Sequence, residues 1–523
     1  MTTVPSELAL HEQPEIQHRR WFLLGIMCLS LVMVVMAVSG LNVAIPSIQQ
    51  SLGATATDLQ WIIDSYAIIF AGLLLSAGAI GDRFGRKRAL QGGLLLFGAG
   101  SLVGTVVDSV ELVIVARTVM GIGAAFVMPA TLSIITAVFP PEERGKAIAV
   151  WAGFAGAGGA LGPLVVGFLL TDWWVFPAYW WGAAFLVNVF LVAGVFTAVT
   201  VYSPRSKDDE VTPLDPVGAA LSIVGLAALL YAIIEGPVKG WSSTEVVAAG
   251  VVAAITLVGF VRWELRAEHP MLPMSYFRNA NFSVGSGVVT FAFGVMFGFF
   301  FLMTQFLQFV RGYSPLDAGV ATLPLAAMLV IVSPRSASLS ETIGSTKVMS
   351  AGFGFVTAGF VLMATVDTSS SYLVIAAALV LLGIGMGITV APATGSIMSA
   401  VPLNKAGVGS AVNDTTREVG GALGIAVLGS IANSAYRSNV DDEVFGSLPP
   451  DAADAAGESV GAAVQVAAGL PDELAAMVQG AAGDAFTTAF STSLLAAAAI
   501  AALIGVIVAV VGGRAVRAGA DGR

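Results

Sequence analysis

The sequence predicts an all-α integral membrane protein with 14 transmembrane helices: six, then two inserted, then six, in two pseudo-symmetric halves. Three observations predict this. First, 56% of the 523 residues are hydrophobic and only 11% are charged, with a mean hydropathy of +0.86. A soluble domain carries about 25% charged residues, and a soluble chain could not hide so much apolar surface. Second, the apolar residues gather in fourteen runs, about 21–45, 58–80, 89–107, 111–138, 147–169, 179–201, 215–235, 244–263, 282–309, 316–334, 348–366, 372–400, 406–435 and 486–511. Runs of this length, rich in Leu, Ala, Val and Gly, fit helices rather than the short alternating strands of a membrane barrel. Third, the 24 Lys and Arg divide unevenly: 19 fall in segments on the side of the termini, three on the other side (Lys239, Arg311, Arg437) and two within runs (Arg117, Arg417). The positive-inside rule then puts both termini in the cytoplasm.

The elements follow in order. A cytoplasmic tail, 1–20, leads into the first half, 21–201. The first run is too long for a signal peptide, so it is expected to remain as a helix. A cytoplasmic linker, 202–214, precedes two inserted helices within 215–265, and the second half covers 282–511 before a tail at 512–523. Its loop 436–484 carries nine acids against the single base Arg437 and is expected to be an extracellular solvated loop, or an acidic vestibule that concentrates cations. Within it, Pro471 to Gln479 can start a short helix.

Internal repetition supports two parallel halves. PATLSIITAV at 129–138 matches PATGSIMSAV at 392–401 in seven of ten positions, at an offset of 263. GDRFGRKR at 81–88 has a worn echo, SETIGSTK, at 340–347. Parallel repeats of this kind place a substrate site between the halves near mid-membrane.

Few residues within the runs can carry chemistry. The lone Cys28 cannot form a disulfide within the chain, and all three histidines lie outside the runs. Buried charges are costly unless paired or facing water, which makes each a candidate. They are Asp64 in the second run, Arg117 in the fourth, and Asp414, Arg417 and Glu418 on one face of the thirteenth. A structural ion pair is the plain alternative for each. A carboxyl in a cavity that opens alternately to two sides can load a proton on one and release it on the other. A potential of 100 mV adds about 2.3 kcal/mol per charge moved. No phosphate-binding G-x-x-x-x-G-K-[ST] occurs, so the expected energy source is a proton gradient, with no cofactor and no metal. The cavity wall is expected to include Asn42, Gln60, Trp61, Tyr66, Gln305, Gln308 and Asn413, an aromatic and amide lining that suits small amphiphilic substrates.

The loop GAIGDRFGRKRAL, between the second and third runs, resembles the signature G-x-x-x-D-R-x-G-R-[RK] of the major facilitator superfamily. Gly78, Asp82, Arg83, Gly85, Arg86 and Lys87 fit it. The resemblance implies that Asp82 docks at the start of helix 13 near Ala406 when the inside is shut, assisted by Arg83 and Arg86. In helix 5, Gly158, Gly162, Pro163 and Gly167 resemble the antiporter motif G-x-x-x-G-P-x-x-G-G of drug-exporting members, with Val166 replacing one glycine. LQWIIDSY in helix 2, Arg117 with Gly121, PLDPVGAAL, GYSPLDAG and KAGVGSAVNDTTREVGGALG look like the fourteen-helix drug:proton antiporters. That family usually has an acid in helix 1 where this chain has Ala37, followed by Asn42 and Pro46 as expected; Met120 also replaces a glutamine.

The resemblance implies a proton-coupled exporter of lipophilic cationic drugs or metabolites in the cell membrane, acting as a monomer on small amphiphiles, protons and lipid, with no nucleic-acid partner. A dedicated exporter of one natural product or lipid, and a non-transporting sensor on the same fold, are the alternatives. An enzyme is not expected, because no nucleophile–base set or metal cluster appears at membrane depth.

Overall fold

The computed structural model describes residues 10–54, 56–170, 180–205 and 213–520. Parts of the expected tails and linker (1–9, 206–212, 521–523) and Tyr179, at the start of the sixth run, lie outside these residues. The first half consists of α1 (Pro14–Ser39, continued past Gly40 as Leu41–Leu52), α2 (Ala56–Phe84), α3 (Arg86–Val106), α4 (Val110–Val138), α5 (Pro141–Leu169) and α6 (Ala183–Tyr202). The inserted pair is α7 (Pro216–Lys239) and α8 (Thr244–Glu264). The second half has α9 (Ala280–Gln305), α10 (Leu323–Ile343), α11 (Ser345–Met363), α12 (Tyr372–Ser399), α13 (Ala406–Ser438) and α14 (Asp472–Ala520). Among the described residues, thirteen spans are long and apolar enough to cross a membrane, and α5 makes a fourteenth when its two arms, bent by 42°, are taken as one. The bend has a local cause: Pro163 has no N–H to give the carbonyl of Gly159.

Local chemistry sets the helix ends. Ser109, Asp215 and Ser371 accept backbone N–H bonds at the starts of α4, α7 and α12, and proline opens α5 and α7. The turns between α2 and α3 and between α10 and α11 each pivot on one glycine, Gly85 at φ 108° and Gly344 at φ 91°. Their shared backbone, favoured only for glycine, is the structural form of the sequence echo at 81–88 and 340–347.

The two halves meet through α2 on α13 and α5 on α10. If helices 1–6 correspond to 9–14, a twofold exchanges these two contacts, as parallel repeats require. The α7–α8 hairpin leans on α2 and α13 through α7. With an even number of spans both termini share one face, called here the terminal face.

On the opposite face the acidic segment is folded. It forms short helices at Asp442–Gly446, Pro450–Glu458 and Val460–Ala467, and α14 begins at Asp472 rather than near 486. Phe445, Leu448, Ala456, Val460, Ala463 and Ala467 are buried, and the buried Tyr436 hydroxyl donates to Ala456 O at 2.9 Å. The acids lie between alanines and valines spaced to bury one side of each helix, which makes this segment a cap rather than a free loop.

Candidate functional site

On the terminal face, α2 and α13 cross at glycines. A Cβ on Gly78 would lie 2.5 Å from the Gly407 carbonyl oxygen, so only glycine allows this approach. One turn further along α2, Asp82 reaches the first turn of α13. Its Oδ1 accepts the Gly407 N–H at 3.0 Å and its Oδ2 the Val408 N–H at 3.2 Å. Arg86 Nε donates to Asp82 Oδ1 at 3.0 Å, and the same guanidinium donates to Leu403 O at 2.5 Å. Both side chains are buried. An anion on the free N–H groups of a helix start is worth about 0.3–2 kcal/mol, enough to bias a two-state contact. Arg83 lies over the Phe84 ring at 5.2 Å, while Lys87 caps α6 by donating to Thr200 O and Ser203 O at 2.8 and 2.7 Å.

Along α5, the glycines bring two partners close. Gly158 and Gly162 face α1: Cβ atoms there would lie 3.1 Å from Val35 Cβ and 2.6 Å from Gly40 N. A Cβ on Gly167 would be 3.8 Å from Leu316, just before α10, and Gly319 similarly borders Pro163. The motif thus sits where α1, α5 and the entry to α10 converge.

The centre is held by Arg117, which is 1% exposed. Its Nε donates to Ile62 O at 3.1 Å and its Nη1 to Ala37 O at 3.3 Å, and its plane stands 4.3 Å from the Tyr66 ring centroid. Tyr66 links α2 and α4 to α13, because Arg417 and Glu418 lie within electrostatic reach of its hydroxyl. Asp64, one turn from Gln60 on α2 and hydrogen-bonded to it, is 6% exposed. Asp414 is fully buried and accepts from Asn413 Nδ2 at 3.2 Å; Asn413 in turn accepts from Thr394 Oγ1 at 2.9 Å. Both acids therefore point into protein, not toward lipid.

Residues 27–425 match the model of the Major Facilitator Superfamily. The chain belongs to that superfamily. It is 34% identical over 469 residues to the multidrug efflux pump LfrA of Mycolicibacterium smegmatis, covering 90% of this chain and 91% of that protein. It is 33% identical over 470 residues to the methyl viologen resistance protein SmvA of Salmonella typhimurium, covering 90% and 93%. Among solved structures, that of the human organic anion transporter MFSD10 superposes with a TM-score of 0.57 at 14% identity, covering 94% of this chain and 100% of that one, which shows the fold.

Within this major facilitator, the candidate residues fall into several separate groups. Arg417 does not pair with Asp414, although the two share a helix face. It pairs with Glu418 at 3.0 Å, touches Met128 Sδ at 3.8 Å and lies 5.5 Å from the Phe293 ring. Arg117 meets backbone carbonyls and an aromatic face, not Asp64. The expected cavity residues form separate groups. Gln60 and Trp61 sit beside α7, where Trp61 packs against Tyr231 at 6.2 Å. Asn42 is exposed on the second segment of α1, and Gln305 and Gln308 are half-buried where α9 tightens into a π turn at Phe306–Val310. Asn413 is committed to the α12–α13 contact.

Two buried acids escaped the sequence reading. Glu264 accepts the Leu272 N–H at 3.0 Å and closes the connection after α8. Glu235, on α7, is 2% exposed and within electrostatic reach of Asp64. Its signal in the sequence was an acid four residues before Lys239, at the end of an apolar run. Lys239 lies beyond the apolar span Pro216–Pro237. Hydrogen bonds to Glu245 (2.6 Å) and Tyr231 (3.1 Å) hold its amine above the usual lysine range, so it is a fixed cation.

Proposed function

We propose that this chain is a proton-coupled exporter of lipophilic, cationic drugs or metabolites, working by alternating access in the cell membrane with its termini in the cytoplasm. Export of drugs is supported by the relatives, which are named for multidrug efflux and methyl viologen resistance. The orientation is supported by the uneven distribution of bases. The observation that carries the coupling is the burial of Asp64 and Asp414 inside the protein, together with a terminal-face gate shut by Asp82 on α13.

In this reading the gate closes the cytoplasmic side, and protons from outside neutralise the inward-pointing acids. Neutral acids release a cationic substrate outward. Opening the gate exposes the acids to the cytoplasm, where an incoming cation displaces the protons. Arg117 and the Arg417–Glu418 pair fix the helix faces around them. Each charge moved across 100 mV contributes about 2.3 kcal/mol, so the gradient supplies the energy and no cofactor or enzymatic step is assigned. Both sides of the gate come from one chain, which favours a working monomer.

Transport in proteoliposomes with a panel of lipophilic cations, neutral amphiphiles and anions tests this reading. Uptake of cations that depends on an imposed pH gradient is expected. Flux indifferent to the gradient contradicts proton coupling, and transport of one compound alone favours a dedicated exporter.

A further inference from the structure

The α7–α8 pair leaves one relationship that the transport reading does not use. Glu235 Oε2 and Asp64 Oδ2 are both buried, on residues 2% and 6% exposed, and neither oxygen accepts a hydrogen bond among the described residues. The cation paired with Glu235 among the described residues is Lys239, whose Nζ lies at 3.5 Å, and that ammonium is held more tightly by Glu245 at 2.6 Å on α8. Tyr231 closes the group by donating to Glu245 at 3.2 Å. From α2, Asp64 and its partner Gln60 face this group, while α13, the third helix against α7, carries the Arg417–Glu418 pair, which turns toward Met128 and Phe293. Lys239 is a third exposed, so the array runs from water at the face opposite the termini to Asp64.

We propose that Glu235 is a further proton acceptor of the transport cycle, beyond Asp64 and Asp414, paired with Asp64 and loaded from the outer surface past Lys239. This rests on the proton-coupled reading above. A proton held by one of two neighbouring carboxylates removes one of the two like charges between α2 and α7. Hydronium at the outer surface gives its proton to a Glu235 carboxylate oxygen and leaves as water. The resulting O–H passes the proton to Asp64, restoring the Glu235 carboxylate, which Lys239 then faces. The inserted helices thus supply the group that takes up the proton on its way to Asp64.

The test uses the full-length protein with ethidium as the probe cation. Glu235→Gln should slow pH-gradient-driven ethidium transport by about a hundredfold or more, in the range of a lost acid–base group. Glu235→Asp should restore most of it, and Asp64→Asn/Glu235→Gln should be no slower than Asp64→Asn alone, because paired groups are not additive. Independently of any variant, a hydrophobic carbodiimide should modify Glu235 of the wild-type protein, and ethidium should protect it. Wild-type rates and proton release from Glu235→Gln, or no carbodiimide adduct on Glu235 while other acids react, overturns the proposal and leaves the proton-coupled reading intact. A wild-type protein that binds ethidium without releasing protons overturns both.

Discussion

Arg117 on α4 donates a hydrogen bond to the backbone carbonyl of Ala37 on α1, 3.3 Å away. Ala37 occupies the place where the fourteen-helix antiporters usually carry an acid, and Arg117 meets the backbone carbonyl of that position rather than a side-chain carboxylate. The same group holds Ile62 O at 3.1 Å and stacks on Tyr66, joining α1, α2 and α4 through one side chain. A lysine ammonium is a point charge and cannot span two carbonyls while stacking on a ring. Arg117→Lys should therefore keep the net charge yet lower gradient-driven transport by about tenfold, or ~1.4 kcal/mol. Initial rates in proteoliposomes check this, and wild-type rates would show that charge alone suffices.

The gate gives a second prediction. Asp82 accepts three N–H groups, two from the start of α13 and one from Arg86. Asn offers one acceptor oxygen and turns an NH2 toward donors. A loss of about 2 kcal/mol shifts a two-state equilibrium by about 30-fold. Asp82→Asn should enlarge the open population on the terminal face, read as longer distances between spin labels at the exposed positions Arg88 and Leu403. An unchanged distance distribution would contradict the gate.

The cap supplies a third. Removing the Tyr436 hydroxyl leaves the Ala456 carbonyl without its buried donor. Tyr436→Phe should cost about 1 kcal/mol and speed hydrogen exchange across 450–467 by about fivefold, with little change in the halves. Uniform protection equal to wild type would mean that the bond contributes nothing.

The legible and illegible parts of this chain divide on physical lines. Span number and the position of the glycine turn at Gly85 could be read because they depend on local composition: long apolar runs, and a short basic loop with glycines at fixed spacing. The expected docking point of Asp82 near Ala406 lies within two residues of its donor partners, the Gly407 and Val408 N–H groups. Side-chain direction was less legible. Asp414, Arg417 and Glu418 share a helix face, yet Arg417 turns to its neighbour Glu418 because Met128 and Phe293 enclose its other side. Glu235 was passed over because it ends an apolar run, where an acid normally meets water. Only the packing of α7 on α2 brings it beside Asp64. The acidic cap hid its core in alanines, which bury little area each and leave the composition polar.

The central claim is that Asp64 and Asp414 carry the protons exchanged for substrate. The most direct measurement is proton release on adding substrate to the purified protein in weakly buffered solution, followed with a pH-sensitive dye. Wild-type protein should release protons, and Asp64→Asn/Asp414→Asn should bind substrate with release abolished. Release from the double variant equal to that of the wild type would contradict the account.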